Sequence, residues 1–429
     1  MGRFRFIAAM VLFASLMLTT LEAKHFSYSQ IHRMPKSIEK DYYIWRFLKQ
    51  RSTSAAEAKA VIREVSHLNK KLKEAYRRKT GAYPRIKPVP PRYFFADKHK
   101  WENRAQGNYA FKKAIALVQK KQLKRAAEQF HAAYRIYEEQ REKDKCLFWL
   151  YLVTQKKHYL YDLKKSCHIN MYTLLAADMT KSKYPKSIVT PRISQSSSWS
   201  IDATNPIHWA KIKQKIYTKG SDLEALADDC ATQETIGMHT YIKARACNYT
   251  KAYFPMPYRD IMKKYPVERQ ALIYAIARQE SRFIPSAVSR SFALGMMQFM
   301  PFLIDHVAKQ KGERIDYDDI FNPYKAIDYA NYHLDYLTKY LYHPLFIAYA
   351  YNGGIGFTKR LIRRKGNFRP GPFEPYLSME KMKNIEAREY GKKVLTNYII
   401  YMNKLGKPVR LLPFIKTLTD PYQTDRFRK

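Results

Sequence analysis

A chain of 429 residues is longer than one compact domain usually runs, and its 46% hydrophobic residues exclude disorder of the whole chain. With 78 Lys and Arg against 37 Asp and Glu, the formal charge of +41 favours polyanionic partners: nucleic acid, an anionic membrane or an acidic cell-wall polymer. The alternative is a general basic bias, since the charge is spread along the chain rather than gathered in one tail.

At the N-terminus, Arg3 and Arg5 precede an apolar run from Phe6 to Leu18, followed by small or polar residues to Ala23. This is the layout of a secretory signal over residues 1–23, and the run is too short for a comfortable membrane span. Nothing later is long and apolar enough to cross a bilayer, so the mature chain is expected to carry no transmembrane segment. Export would take Cys146, Cys167, Cys230 and Cys247 into an oxidising compartment. Of their three possible pairings the sequence-local one, Cys146–Cys167 with Cys230–Cys247, is favoured, with free buried thiols as the alternative. No Cys-x-x-Cys or His-Glu-x-x-His spacing occurs, so no metal is expected.

Beyond the signal the pattern is helical, and the fold class is expected to be all-α. Ser54 and Glu57 form a capping-box signature opening a helical run from Ala55 to Arg77. Gly81, Pro84, Pro88, Pro90 and Pro91 then impose a loop. Leu123, Ala127, Phe130, Tyr134 and Tyr137 follow at spacings of four, three, four and three, which predicts one packed helix face. Such alternation suggests helix pairs stacked into a superhelical, solenoid-like domain over residues 24–252, although no fixed-period repeat is evident. A loop is expected from about Lys181 to Pro206, and no strand alternation stands out. Pro255 and Pro257 mark Tyr253–Tyr258 as a linker. A second domain of shorter helices is placed at 253–410, and a basic tail at 411–429.

Leu272, Ile276 and Glu280 sit four apart on one helix face, which Ile273 and Ala277 widen. A glutamate continuing an apolar stripe is desolvated, its pKa rises, and it can act as a general acid near neutral pH. On this pattern alone a salt-bridged structural glutamate, or a stripe that ends one turn early, is the preferred reading. The surrounding sequence adds Ser281-Arg282-Phe283-Ile284-Pro285 and Ser289. Gly295-Met296-Met297-Gln298-Phe299-Met300-Pro301 and Ala350-Tyr351-Asn352-Gly353-Gly354 come next, and Ile385-Glu386-Ala387-Arg388-Glu389-Tyr390 last.

In these four segments, in order and at compatible spacing, the chain resembles the soluble lytic murein transglycosylases and their goose-lysozyme-like catalytic domain. That family shows Glu-Ser, Gly-Leu-Met-Gln-x-Met-Pro, Ala-Tyr-Asn-x-Gly and Glu-x-Arg-x-Tyr motifs. The detailed match covers about residues 253 to 402. The N-terminal half resembles the family's superhelical domain in texture only. The resemblance implies that Glu280 is the single catalytic acid/base. It implies substrate contacts for Ser281, Ser289, Gln298, Met300, Tyr351, Asn352 and Glu386. Physically, Gln and Asn amides suit sugar hydroxyls and acetamido groups, and Met shapes an apolar wall. Gly353 and Gly354 would let backbone approach a ligand, or make a turn.

The family pattern departs at Ile284, where Asn is frequent, at Phe292, a common Gly, and at Met296, a common Leu. Ala326 and Ala330 stand where Asn and Gly are frequent. These changes concern the shape of the cleft. The implied reaction is cleavage of the β-1,4 bond from N-acetylmuramic acid to N-acetylglucosamine in peptidoglycan, with closure to a 1,6-anhydro end and no cofactor. Asp305 and Asp328 are available as second carboxylates but belong to no matched motif. They read as surface or capping residues. Peptidoglycan strands are the expected partner, cell-wall synthases are candidate partners, and no nucleic acid is expected for an exported, periplasmic, wall-associated protein. The competing readings are a non-catalytic wall-binding scaffold and a lysozyme-like hydrolase of the same bond. A nucleic-acid binder comes third.

Overall fold

The structure is a computed structural model that describes residues 24–89, 98–193 and 201–428. The expected signal at 1–23 lies outside the described residues, as does the serine run at 196–198. Helices dominate, as the sequence pattern predicts. The strand content is one parallel pairing of two residues each, Ile188–Val189 beside Ala252–Tyr253, which is too short to show alternation. No helix among the described residues is long and apolar enough to cross a membrane.

The chain forms two compact units. The first comprises residues 24–89 with Val288–Leu294 and Phe299–Ile320. Its centre is Arg46, on the helix Ile38–Lys49, which donates to Asp316 at 2.9 Å, to Asp318 at 3.1 Å and to the Tyr42 hydroxyl at 3.0 Å. Full desolvation of the guanidinium is offset by this paired, hydrogen-bonded geometry. The capping box forms as expected, with Glu57 and Ser54 exchanging hydrogen bonds. The helix behind it is Ala55–Val61, however, not a run to Arg77. The buried Asp41 carboxylate captures the backbone N–H groups of Ser66 and His67 at 2.7 and 2.8 Å, which turns the chain there. Helix resumes at Lys70–Thr80, capped by Asn69.

The second unit comprises residues 98–193, 201–287, Gly295–Gln298 and 321–428. Within it Lys98–Gln119, Leu123–Ile136, Gln140–Thr154, His158–Lys164 and Met171–Met179 each pack on the next helix in sequence. The buried face of Leu123–Ile136 is Ala126, Phe130 and Ala133, continued by Tyr137 at the helix end. It is rotated from the expected stripe because the small alanines, not Leu123 or Tyr134, allow close helix contact.

The proline-bearing segment 253–258 is not a free linker. Phe254 is fully buried, and the Tyr401 and Tyr274 hydroxyls donate to the Pro255 and Pro257 carbonyls at 3.0 and 2.9 Å. The expected basic tail is also packed through Arg428. Helices Leu411–Thr417 and Pro421–Thr424 form, and Arg428 and Asp425 make a buried ion pair at 2.8 Å.

All four cysteines are free thiols, so the expected pairings Cys146–Cys167 and Cys230–Cys247 are not formed. Cys146 is fully buried while Cys167 is exposed, and Cys230 packs into an apolar cluster with Trp209, Ile212 and Ile242.

Candidate active site

Every residue from Ala271 to Ala277 in the helix Val267–Glu280 is buried. It is therefore a central core helix rather than a helix with one apolar stripe. It packs against Ile385–Lys404, the longest partner it has, whose residues from Val394 to Met402 are buried. Two polar braces fix the register of this pair. Asn397 donates to the Ala275 carbonyl at 3.2 Å and accepts from Arg278 at 2.8 Å. Arg278 also donates to the Tyr253 carbonyl at 2.8 Å and lies 3.7 Å from the centre of the Phe254 ring. Burial pushes its pKa down to about 10.

With the register set, Tyr390 meets Glu280, and its hydroxyl donates to Glu280 Oε1 at 2.7 Å. Glu280 keeps a partly exposed edge, yet the protein around its carboxyl is dry enough to push the pKa up to about 7. Burial is the main cause, the Tyr390 hydrogen bond opposes it, and the negative charge of Glu386 adds to it. The position of Glu280 at the C-terminal end of its helix acts in the same direction as burial, since the carbonyl end of the helix disfavours a negative charge. The result is a carboxyl group divided between its two protonation states near neutrality, as acid/base work requires.

The remaining expected residues divide by what they touch. Tyr351, on the helix Pro344–Gly353, donates to the Met297 carbonyl at 3.0 Å. Its hydroxyl is held un-ionised, first by burial and then by the charge of Glu280. Asn352, near the end of the same helix, is partly exposed. Gly354, at φ +83, turns the chain into the helix Ile355–Arg363. Glu386 is exposed in the first turn of its helix.

Ser281 and Gln298 are spent on the protein itself. The Ser281 hydroxyl donates to the Met296 carbonyl at 2.7 Å and accepts from the Ile284 N–H at 3.1 Å, pinning the loop 295–298 to the end of the acid helix. Gln298 donates to the Ala287 and Gly295 carbonyls at 3.1 and 2.9 Å, which leaves its amide oxygen as the free end. Ser289 and Met300 belong to the first unit. There Ser289 accepts from the Ala293 N–H at 2.8 Å, and Met300 precedes the helix Pro301–Lys311 as its N-cap.

Two departures from the family pattern gain reasons. Phe292 adopts φ +60 and fills the space beside Tyr42 and Trp45, at ring distances of 6.0 and 5.7 Å. Ile284 joins the apolar cluster around Trp209 and Met238. Asp305 is exposed and accepts from Tyr317 at 2.9 Å. The residue missed by sequence reasoning is Tyr390. It ends the last motif, about one helical turn before the buried Val394, a spacing that places it on the face of that residue. Among the described residues no group of three or more His, Cys, Asp or Glu could hold a metal ion.

Residues 257–371 match the family model for the transglycosylase SLT domain. A soluble lytic murein transglycosylase of Escherichia coli K12 is 25% identical over 234 residues, which is 52% of this chain and 35% of the relative. The chain thus spans about a third of the length of that relative. A membrane-bound lytic murein transglycosylase C of Pectobacterium atrosepticum is 35% identical over 161 residues, 33% of this chain and 44% of the relative. Among solved structures, the 70 kDa soluble lytic transglycosylase of Escherichia coli aligns with a TM-score of 0.46 and 16% identity, over 93% of this chain and 64% of the other. Lytic transglycosylase Slt of Pseudomonas aeruginosa aligns with a TM-score of 0.47 and 15% identity, over 97% of this chain and 69% of the other.

Proposed function

We propose, for a chain that carries an SLT domain and is homologous to soluble lytic murein transglycosylases, that it cleaves peptidoglycan by one-carboxylate chemistry at Glu280. The observation that carries this is the dry Glu280 carboxyl with a pKa near 7, held by Tyr390. The protonated form donates to the oxygen of the β-1,4 bond that follows N-acetylmuramic acid. The muramoyl N-acetyl group supports the positive charge growing at the anomeric carbon, as in substrate-assisted glycosidases. The Glu280 carboxylate then takes the proton of the same sugar's carbon-6 hydroxyl, whose oxygen closes on the anomeric carbon. A 1,6-anhydro end forms, and the proton returns to Glu280. The internal nucleophile is in place from the start, which replaces the capture of a water molecule.

In this reading Tyr390 fixes the carboxyl rotamer and Tyr351 holds the loop carbonyl of Met297 beside it. Asn352, Glu386 and the Gln298 amide oxygen meet sugar or peptide, and Ser281 positions the loop. Ser289 and Met300 take substrate-binding roles on the motif match alone. The protein works after export through residues 1–23, in the periplasm, on wall glycan, with cell-wall synthases as candidate partners. Glu280→Gln should lower release of soluble fragments from purified sacculi by at least about 100-fold while the fold is kept. Retention of most of the activity would remove Glu280 from the chemistry.

A further inference from the structure

One face of the second unit gathers aromatic rings and guanidinium groups that the reaction above does not use. Tyr241 and Arg245 lie one turn apart on the helix Ile236–Ala246. The Tyr241 ring stands edge-on to Trp209 at 5.4 Å, and its hydroxyl is 3.2 Å from that of Tyr217. Arg245 lies over the Tyr217 ring at 4.5 Å. Arg282 lies between two rings, 5.5 Å from Tyr241 and 5.7 Å from Tyr249. Tyr217, Tyr249 and Arg282 are exposed.

Three features set this face apart from ordinary basic surface. Neither Arg245 nor Arg282 has an ion pair with the described residues, whereas Lys243 on the opposite side of the same helix is paired with Glu224 and Asp228. The two turns that supply the outer residues hold four non-glycine residues in left-handed backbone: Asn248 and Tyr249 at φ +48 and +58, Arg282 and Phe283 at +57 and +66. Each costs about 1–2 kcal/mol, and such conformations persist where the surroundings enforce them. At Arg282 and Phe283 the surroundings include Gly237, where a Cβ would overlap the Phe283 carbonyl, so the helix backbone presses directly on the turn that follows Glu280.

We propose that Tyr217, Tyr241, Tyr249, Arg245 and Arg282 form a docking surface for a carboxylate-bearing glycan, the acidic stem-bearing strand of the wall polymer. The proposal rests on the peptidoglycan reading and adds a holding site to it. Tyrosine faces offer flat apolar area to the C–H faces of sugar rings. Guanidinium groups already ordered over those rings lose little further entropy when they take a carboxylate in bidentate fashion. Arg282 stands two residues from Glu280, so a strand held here stays tethered to the reacting end of the chain.

The test uses the full chain carrying Glu280→Gln, so that bound wall is not cut, and reads co-sedimentation with purified sacculi and with chitin, an uncharged glycan. Arg245→Gln with Arg282→Gln should weaken binding to sacculi about tenfold and binding to chitin far less. Tyr249→Ala should weaken both. Arg245→Lys with Arg282→Lys should recover part of the loss, which separates charge from misfolding, and unfolding midpoints check each variant. Sacculus binding within twofold of the parent in the Gln variants overturns the proposal. So does tighter binding of duplex DNA or phosphatidylglycerol vesicles that is lost on the same substitutions, which would give the face to nucleic acid or membrane. Cleavage by the unaltered chain is scored separately. Anhydro products with unchanged docking sink the surface alone, and lost docking without any products sinks the enzymatic reading alone.

Discussion

At the residue scale the site is a balance of opposed influences on one carboxyl group. Burial and Glu386 raise the Glu280 pKa while Tyr390 lowers it. The free enzyme must hold the proton to act, so kcat/KM should fall as pH rises through about 7. Tyr390→Phe should move that limb to higher pH and cost about 10- to 100-fold in rate, whereas Glu386→Gln should move it to lower pH. A pH–rate series on the three proteins checks both signs; shifts in the same direction would contradict the assignment. Glu280 stands out in the sequence because a motif and an apolar stripe converge on position 280. Tyr390 stands in a motif, but its contact with Glu280 is not legible there, because a contact across 110 residues of chain depends on helix register, which no local pattern encodes. The internal hydrogen bonds of Ser281 and Gln298 are not legible in the sequence, since a polar side chain in a motif does not reveal whether backbone carbonyls claim its donors first.

At the element scale the register between the acid helix and Ile385–Lys404 decides the site. The second of these helices also packs on Pro344–Gly353, and at Gly391 a Cβ would overlap the Tyr349 ring. Gly391→Ala should therefore destabilise the fold by about 1–3 kcal/mol and displace Tyr390 beside it, so that activity falls more than stability explains. Thermal unfolding and initial rates on one preparation test this; wild-type rates would show that the close approach is not needed. One turn beyond Glu389 the same helix carries Lys392, which donates to Glu380 at 2.6 Å and to the Tyr172 hydroxyl at 3.1 Å. This ties Ile385–Lys404 to Met171–Met179. Lys392→Met would leave the buried Glu380 without its main partner and should cost about 3–5 kcal/mol, read by denaturant titration. Helix starts were legible where a cap announces them, as at Ser54. The break after Val61 was not, because it depends on Asp41 reaching across to the amides of residues 66 and 67.

At the scale of the whole molecule the sequence showed a helical protein but divided it at residue 255. The compact units follow a different division, with segments near residues 288–294 and 299–320 assigned to the N-terminal one. Sequence texture follows the chain, while packing joins segments far apart in it, and Arg46 with Asp316 is the pairing that draws such a segment in. The charge of +41 sets a further expectation: retention on sacculi should weaken as ionic strength rises, since screening acts on exposed guanidinium and ammonium groups. The central claim is that an internal hydroxyl, not water, completes the reaction at Glu280. Digestion of purified peptidoglycan in heavy-oxygen water, with fragments read by mass spectrometry, tests it most directly. The account predicts fragments one water lighter than hydrolysis products, without heavy oxygen at the new ends and absent with Glu280→Gln. Reducing ends that carry heavy oxygen would contradict it and establish a hydrolase.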